Sequence, residues 1–254
     1  MIFKQFMYSF YSTKKVAQYR FQGLGKTFLF IFLLSIVSVV SLYFSTKDNY
    51  DVLVNNYIPE FKDNIPEFKV INGELRTTSG SEETYEFDDF TVILSPDSIR
   101  PSVDLKTPVQ LELLKDKVSF TADNRTETIN YKDLATDDFS SNFIKTSIDD
   151  LLGISNVFYL IFLIFSYIIA FIMLLIQISI LGLISKILSK RMNKYLKYRQ
   201  LWILSSYGIV IPTVFVAIME SLNTTIPFQS LIFWFSALYV MYNILKEVPD
   251  QIEQ

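Results

Sequence analysis

The sequence predicts a membrane α-helical protein with four transmembrane helices and a small extracytoplasmic β-rich (α+β) domain between helices 1 and 2. Three observations predict it. Four stretches are apolar and uncharged, or nearly so. Basic residues gather on one side of them and acidic residues on the other. The first two stretches are separated by a charged, turn-rich segment of about 100 residues.

A bilayer core about 30 Å thick needs roughly 20 apolar residues in a helix, and all backbone polar groups must be satisfied within it. The first such stretch occupies 27–46, and its centre reads TFLFIFLLSIVSVVSLYF. It follows a leader of 26 residues and ends at SLYFSTKDN, which offers no small-x-small cleavage site, so it reads as an uncleaved signal anchor. The second lies at 153–185. As a continuous helix it would be about 50 Å long, so it tilts or extends past the hydrocarbon. The third, 200–222, contains Pro212, and the fourth occupies 223–245.

Residues 1–26 carry five Lys/Arg and no acid, and residues 186–199 carry six Lys/Arg and no acid. Residues 47–150 instead hold 11 Lys/Arg against 22 Asp/Glu, a segment charge of −11. Because cytoplasmic flanks of membrane helices are enriched in Lys/Arg, the pattern predicts an orientation. It puts 1–26, the loop 186–199 and the tail 246–254 in the cytoplasm, and the domain 47–152 outside. Both termini are then cytoplasmic, in a multi-pass membrane protein.

The outward segment opens with a tandem repeat, IPEFKDN at 58–64 and IPEFKVI at 65–71, where each proline is expected to stop a helix. It reads as a duplicated spacer, with a binding segment as the alternative. FKVI-NG-ELRT then predicts a hairpin, since a type I′ turn needs positive φ at both central residues. FTVIL, VQLEL, KVSFTA and TETINY follow as strands, with Val109, Leu111 and Leu113 alternating with polar residues. That alternation predicts a small antiparallel meander with one buried and one wet face, and FTVIL as a candidate edge strand. A short helix over 141–152 is expected to lead into the second span.

The chain contains no His and no Cys. This removes a Ser-His-Asp triad, a Cys-His pair, the common zinc sites, disulfides and thiol chemistry, and no metal, cofactor or catalytic residue is predicted. The acidic run Glu82, Glu83, Glu86, Asp88 and Asp89 lacks the ligand spacing of a calcium loop and reads as solvated. GLGKT at 23–27 has Arg20 where a phosphate-binding loop needs its first glycine, so it reads as a bend before the first span.

Upstream of that bend, Phe3, Phe6, Met7, Phe10 and Tyr11 recur at helical spacing beside Lys4, Lys14, Lys15 and Arg20. With Lys26 at the membrane boundary, this basic amphipathic segment suits the anionic inner leaflet, or alternatively a docking partner. The loop bearing Lys186, Lys190, Arg191 and Lys194 offers the same pair of readings. A short basic loop held at a membrane makes a poor nucleic-acid surface, and no nucleic-acid partner is predicted. Within or at the ends of the spans, Gln177, Tyr207, Glu220 and Gln229 are the polar candidates, either for a substrate path or for hydrogen bonds between helices.

The run KQFMYSFYSTKKVAQYRFQGLGKT, together with KVINGEL, LELLKDKVSF and the hydrophobic C-terminal half, resembles an uncharacterised family of Bacillota membrane proteins. Some of its members carry the label maltodextrose utilization protein MalA. The resemblance implies a protein of a bacterial cell membrane with the same topology, and offers no catalytic residues to carry over. Together these readings lead to a non-enzymatic accessory or sensor protein, with a sugar-uptake system as the partner implied by the label. The competing class is a small transporter or channel, which needs a hydrated path past Gln177, Tyr207 and Glu220.

Overall fold

A computed structural model describes residues 2–86, 90–101, 109–122, 125–134 and 139–249. The chain forms two compact units, Met1–Val52 with Val157–Gln254, and Leu53–Asn156. The protein is thus mixed α+β, with long apolar helices and two small sheets.

The helical unit begins with α1 (Ile2–Tyr11) and α2 (Thr13–Gln18). A 3₁₀ turn at Tyr19–Phe21 and an extended Gln22 lead to α3 (Leu24–Val52). α5 (Ser141–Arg191) is a single helix of 51 residues, about 76 Å long at 1.5 Å per residue. The separate helix expected at 141–152 is therefore its first part, because Gly153 alone does not interrupt so apolar and well-paired a segment. α6 (Tyr198–Gly208) and α7 (Val210–Ser221) are divided at Ile209. Pro212 explains the break: it has no N–H to give the Gly208 carbonyl and its ring crowds that carbonyl. The ladder resumes when Thr213 N–H donates to the Ile209 carbonyl at 3.0 Å. α8 (Gln229–Lys246) completes the unit.

Three helical stretches are long and apolar enough to cross a membrane: Leu24–Asp63, Ser141–Arg191 and Tyr198–Ser221. α8 has 18 residues, diluted by Gln229, Asn243 and Lys246, and falls outside that set. The helices share one core, in which Phe30, Ile31 and Leu34 of α3 join Ile178 and Leu181 of α5, Leu204 and Tyr207 of α6, and Ala237 and Met241 of α8. α5 and α6 approach closely at Gly182, where an added Cβ would lie 3.5 Å from the Trp202 backbone. Most of α5 presents Ile, Leu, Phe and Met outward.

The second unit opens with a π-helical turn at Leu53–Tyr57 and α4 (Ile58–Asp63). The first proline of the tandem repeat therefore does not stop the helix. Pro59 stands in the first turn of α4, where a missing N–H costs nothing, and the wider π turn before it accommodates the ring. The second repeat behaves differently. After Pro66 the chain is extended and enters β1 (Phe68–Ile71), which pairs with β2 (Glu74–Thr77) across the expected turn. Asn72 and Gly73 have φ of 56° and 77°. A Cβ on Gly73 would also lie 3.0 Å from the Lys132 side chain, so both φ and space favour glycine there.

Five strands follow in the order β3-β4-β5-β6-β7. They are β3 (Glu83–Glu86), β4 (Phe90–Ser95), β5 (Val109–Leu114), β6 (Lys117–Ala122) and β7 (Arg125–Asn130). The sheet corrects the expected meander in two ways. β4 and β5 run parallel, with Phe90 opposite Val109 and Leu94 opposite Leu113. The 13 residues between them suffice for the crossover that a parallel pair requires. β4, moreover, is no edge, because β3 covers its other side. The acidic run thus contributes a strand, and of its five acids Asp88 and Asp89 lie outside the described residues.

The apolar face of this sheet carries Val92, Leu94, Leu111, Leu113 and Val118. It packs on Ile65, Phe68, Val70 and Leu75, and on Ile144 and Ile148 from the start of α5. The other face is not wet as expected: Gln110 and Glu112 are each only 3% exposed, and Thr91, Ser119 and Thr121 are buried beside them. A strand hydrogen-bonded on both edges and holding a parallel neighbour is commonly covered on both faces. Tyr131, in the 3₁₀ turn after β7, donates to the Leu114 carbonyl at 2.9 Å, and burial pushes its phenol pKa far above the ordinary value.

Candidate functional site

α3, α5, α7 and α8 line an open pocket of about 260 Å³ within the helical unit. Three of the four polar residues singled out from the sequence line it: Gln177 from α5, Glu220 from the last turn of α7 and Gln229 from the first turn of α8. Ser38, Thr213 and Trp234 line it as well. Gln229 Nε2 donates to Glu220 Oε1 at 3.4 Å, a long bond that ties the two helix ends across a tight loop.

That loop explains the placement. Asn223 takes a left-handed φ of 51° after α7, so the chain reverses within a few residues. Pro227 follows, and Phe228 has φ of 56°, which is uncommon for a bulky side chain. The loop therefore returns the chain so that the first turn of α8 faces the last turn of α7. Glu220 is the only charged residue between Leu201 and Leu245.

Thr213 lines the pocket one turn beyond the break at Ile209. The residue is 6% exposed, and its buried hydroxyl has no hydrogen-bond partner among the described residues. A threonine in a helix commonly returns its hydroxyl to a carbonyl one turn earlier. Here the hydroxyl stays unpaired among the described residues. Sequence reasoning passed over Thr213, and its spacing from Pro212 and Glu220, one and seven residues, was the available signal.

Tyr207 does not join this pocket. Its ring is fully buried between Phe30 and Tyr19, with centroids at 4.5 and 5.1 Å. Its hydroxyl accepts a hydrogen bond from Gln22 Nε2 at 2.9 Å and donates to Gln5 Oε1 at 3.4 Å, and Gln5 Nε2 donates to Gln22 Oε1 at 2.6 Å. Gln22 sits in the bend before the first long helix. The polar atoms of α1, the bend and α6 thus satisfy one another in a closed knot, and no path passes Tyr207. Below Thr213 and Gln177 the core closes, with Ile178, Ile209, Val210 and Ala237 at 0% exposure.

The basic candidates divide. Lys4, Lys14, Lys15, Lys26, Lys186, Lys190 and Arg191 are exposed. Lys15 lies 3.7 Å from the Tyr8 ring centroid, and its hydrogen bond lowers the phenol pKa of Tyr8. Arg20 donates to the Ala17 carbonyl at 2.6 Å and stacks on Phe21. Lys194 departs from the expected membrane-facing role: it is buried, and its ammonium donates to the Val248 carbonyl. It holds the end of α8 to the loop after α5. In α1, Ile2 and Phe6 pack on the bundle while Phe3, Met7, Phe10 and Tyr11 face outward. The apolar residues expected on one face are thus shared between the protein's own core and its surroundings.

No group of three or more His, Cys, Asp or Glu side chains is placed to hold a metal ion among the described residues. No curated protein and no solved structure matches the chain. Residues 3–245 match the family model described as a protein of unknown function, DUF1189, and the chain therefore belongs to that family.

Proposed function

We propose that this chain is a non-enzymatic accessory or sensor protein of a bacterial cell membrane. It crosses the membrane four times with both termini cytoplasmic, α8 serving as the fourth and least apolar span. Its exposed lysines at 4–26 and 186–191 meet the anionic inner leaflet, and the β-rich unit lies outside. The observation that carries the reading is the blind pocket: polar residues gather beside Glu220, and the cavity ends at Thr213 and Gln177 above a closed apolar core. A pocket that binds without a continuing path suits sensing better than conduction.

The absence of cysteine makes single-cysteine labelling direct. In spheroplasts, Ser230→Cys is expected to react with a membrane-impermeant maleimide from outside, whereas Lys14→Cys and Lys190→Cys react only after permeabilisation. Labelling of Lys14→Cys from outside would reverse the topology. The pocket also favours a second reading, a small transporter, and release of a trapped solute from proteoliposomes of the purified chain would establish it.

The partner we propose is a sugar-uptake system, and its link to maltodextrin rests only on the resemblance to Bacillota proteins bearing that label. Crosslinking in native membranes, with and without maltodextrin, is expected to recover an uptake component with the chain. Recovery of the chain alone in both conditions would remove that partner.

A further inference from the structure

The pocket has one charge and no countercharge. Glu220 is the sole ionisable residue of the lining, and no lysine or arginine occurs from Leu201 to Leu245. Glu220 is exposed at the pocket's rim, where an unpaired carboxylate attracts a cation. The other lining groups suit the same guest. Gln177 and Gln229 offer amide oxygens, Ser38 and Ser230 offer hydroxyl oxygens, and Trp234 offers an indole face.

A bare divalent ion fits poorly, because hard cations take several oxygen ligands, usually including more than one carboxylate. Size narrows the choice further. At about 260 Å³ the cavity falls below the roughly 300–1,000 Å³ typical of clefts for drug-sized ligands, so it takes a small group.

We propose that the pocket binds a primary alkylammonium group. Glu220 provides the countercharge, Gln177 and Gln229 offer amide oxygens to the guest's N–H groups, and Trp234 covers it. The guest is either a free small amine or the ethanolamine head of a phospholipid entering between α5 and α8. This rests on reading the cavity as a binding site.

Trp202 and Trp234 are the two tryptophans of the chain, so Trp202→Phe leaves Trp234 as the only indole reporter. The Trp202→Phe protein in phosphatidylglycerol nanodiscs is titrated with ethanolamine and, in parallel, with ethylene glycol. Saturable change of Trp234 emission is expected with ethanolamine alone. Adding Glu220→Gln should weaken it at least about tenfold, as loss of one charge-assisted hydrogen bond would, while Glu220→Asp retains it. Native mass spectrometry from nanodiscs containing phosphatidylethanolamine separates the sources. Retained lipid that Glu220→Gln loses assigns the headgroup, and a fluorescence response without retained lipid assigns a free amine.

Equal responses to ethanolamine and ethylene glycol, or readouts unchanged by Glu220→Gln, would overturn the proposal. Access to the cavity is measured separately by maleimide. Labelling of Ser230→Cys but not of the fully buried Ser205→Cys, together with no amine response, removes only the ligand class. Labelling at both positions from outside removes the blind pocket itself.

Discussion

Tyr207→Ala is expected to lower the stability of the helical unit by about 3–5 kcal/mol, the range for truncating a large buried aromatic side chain. The ring fills the space between Phe30 and Tyr19 at 0% exposure, so its removal leaves a cavity that three helical segments cannot close. Its hydroxyl also satisfies Gln22 and Gln5, which lie within and before the bend that sets the direction of α3. Truncation therefore loses packing and one partner of each amide, although the two amides stay bonded to each other. Tyr207→Phe separates the two contributions: it keeps the ring and should cost about 1 kcal/mol, the net worth of an ordinary hydrogen bond. Thermal unfolding of both variants in nanodiscs measures the difference. A Tyr207→Ala midpoint equal to that of the parent protein would show that the knot does not hold α1 to the bundle.

Leu94→Ala should cost the β-rich unit about 2–5 kcal/mol. Leu94 is completely buried in β4, which pairs with β3 on one side and β5 on the other, and it faces Phe68, Leu75 and Ile144 across the core. A domain of about 100 residues has only 5–15 kcal/mol to lose, so such a change removes a large share of its stability. The expected result is rapid cleavage within 53–156 in limited proteolysis, with residues 157–249 still protected. Ile129→Ala provides the comparison, because Ile129 is 51% exposed on β7 and its truncation should change the cleavage rate little. Equal rates for the two variants would contradict the assigned core.

Local chemistry explains which of these features were legible beforehand. The hairpin over 68–77 follows from two adjacent residues that tolerate positive φ between two strand-like runs, and nothing distant is needed to specify it. The strands over 90–95, 109–114, 117–122 and 125–130 were likewise readable from alternation and β-branched content. Their pairing was not. Whether 96–108 reverses the chain or carries it back for a parallel pair depends on where β4 finds its neighbours. Burial of Gln110 and Glu112 followed from that pairing, because alternation reports which residues share a face but not whether the face is covered. Pro59 shows the same limit, since its place in the first turn of α4, after a π turn, lets the helical path continue.

Among the site residues, hydropathy singled out Gln177, Tyr207, Glu220 and Gln229 because each is polar in or beside an apolar run. By itself the sequence determined the long apolar helices, the opposed charges flanking them, the absence of histidine and cysteine chemistry and the isolation of Glu220 as a lone charge. These are properties of single residues and of local periodicity. Only the tertiary structure decided that Gln177, Thr213, Glu220 and Gln229 share a cavity, that Tyr207 belongs instead to a closed knot with Gln5 and Gln22, and that Lys194 is a buried tie. The physical reason is that a polar side chain at low dielectric is satisfied by whichever partner the packing brings within about 3 Å, and those partners stand as many as 202 residues away in the chain.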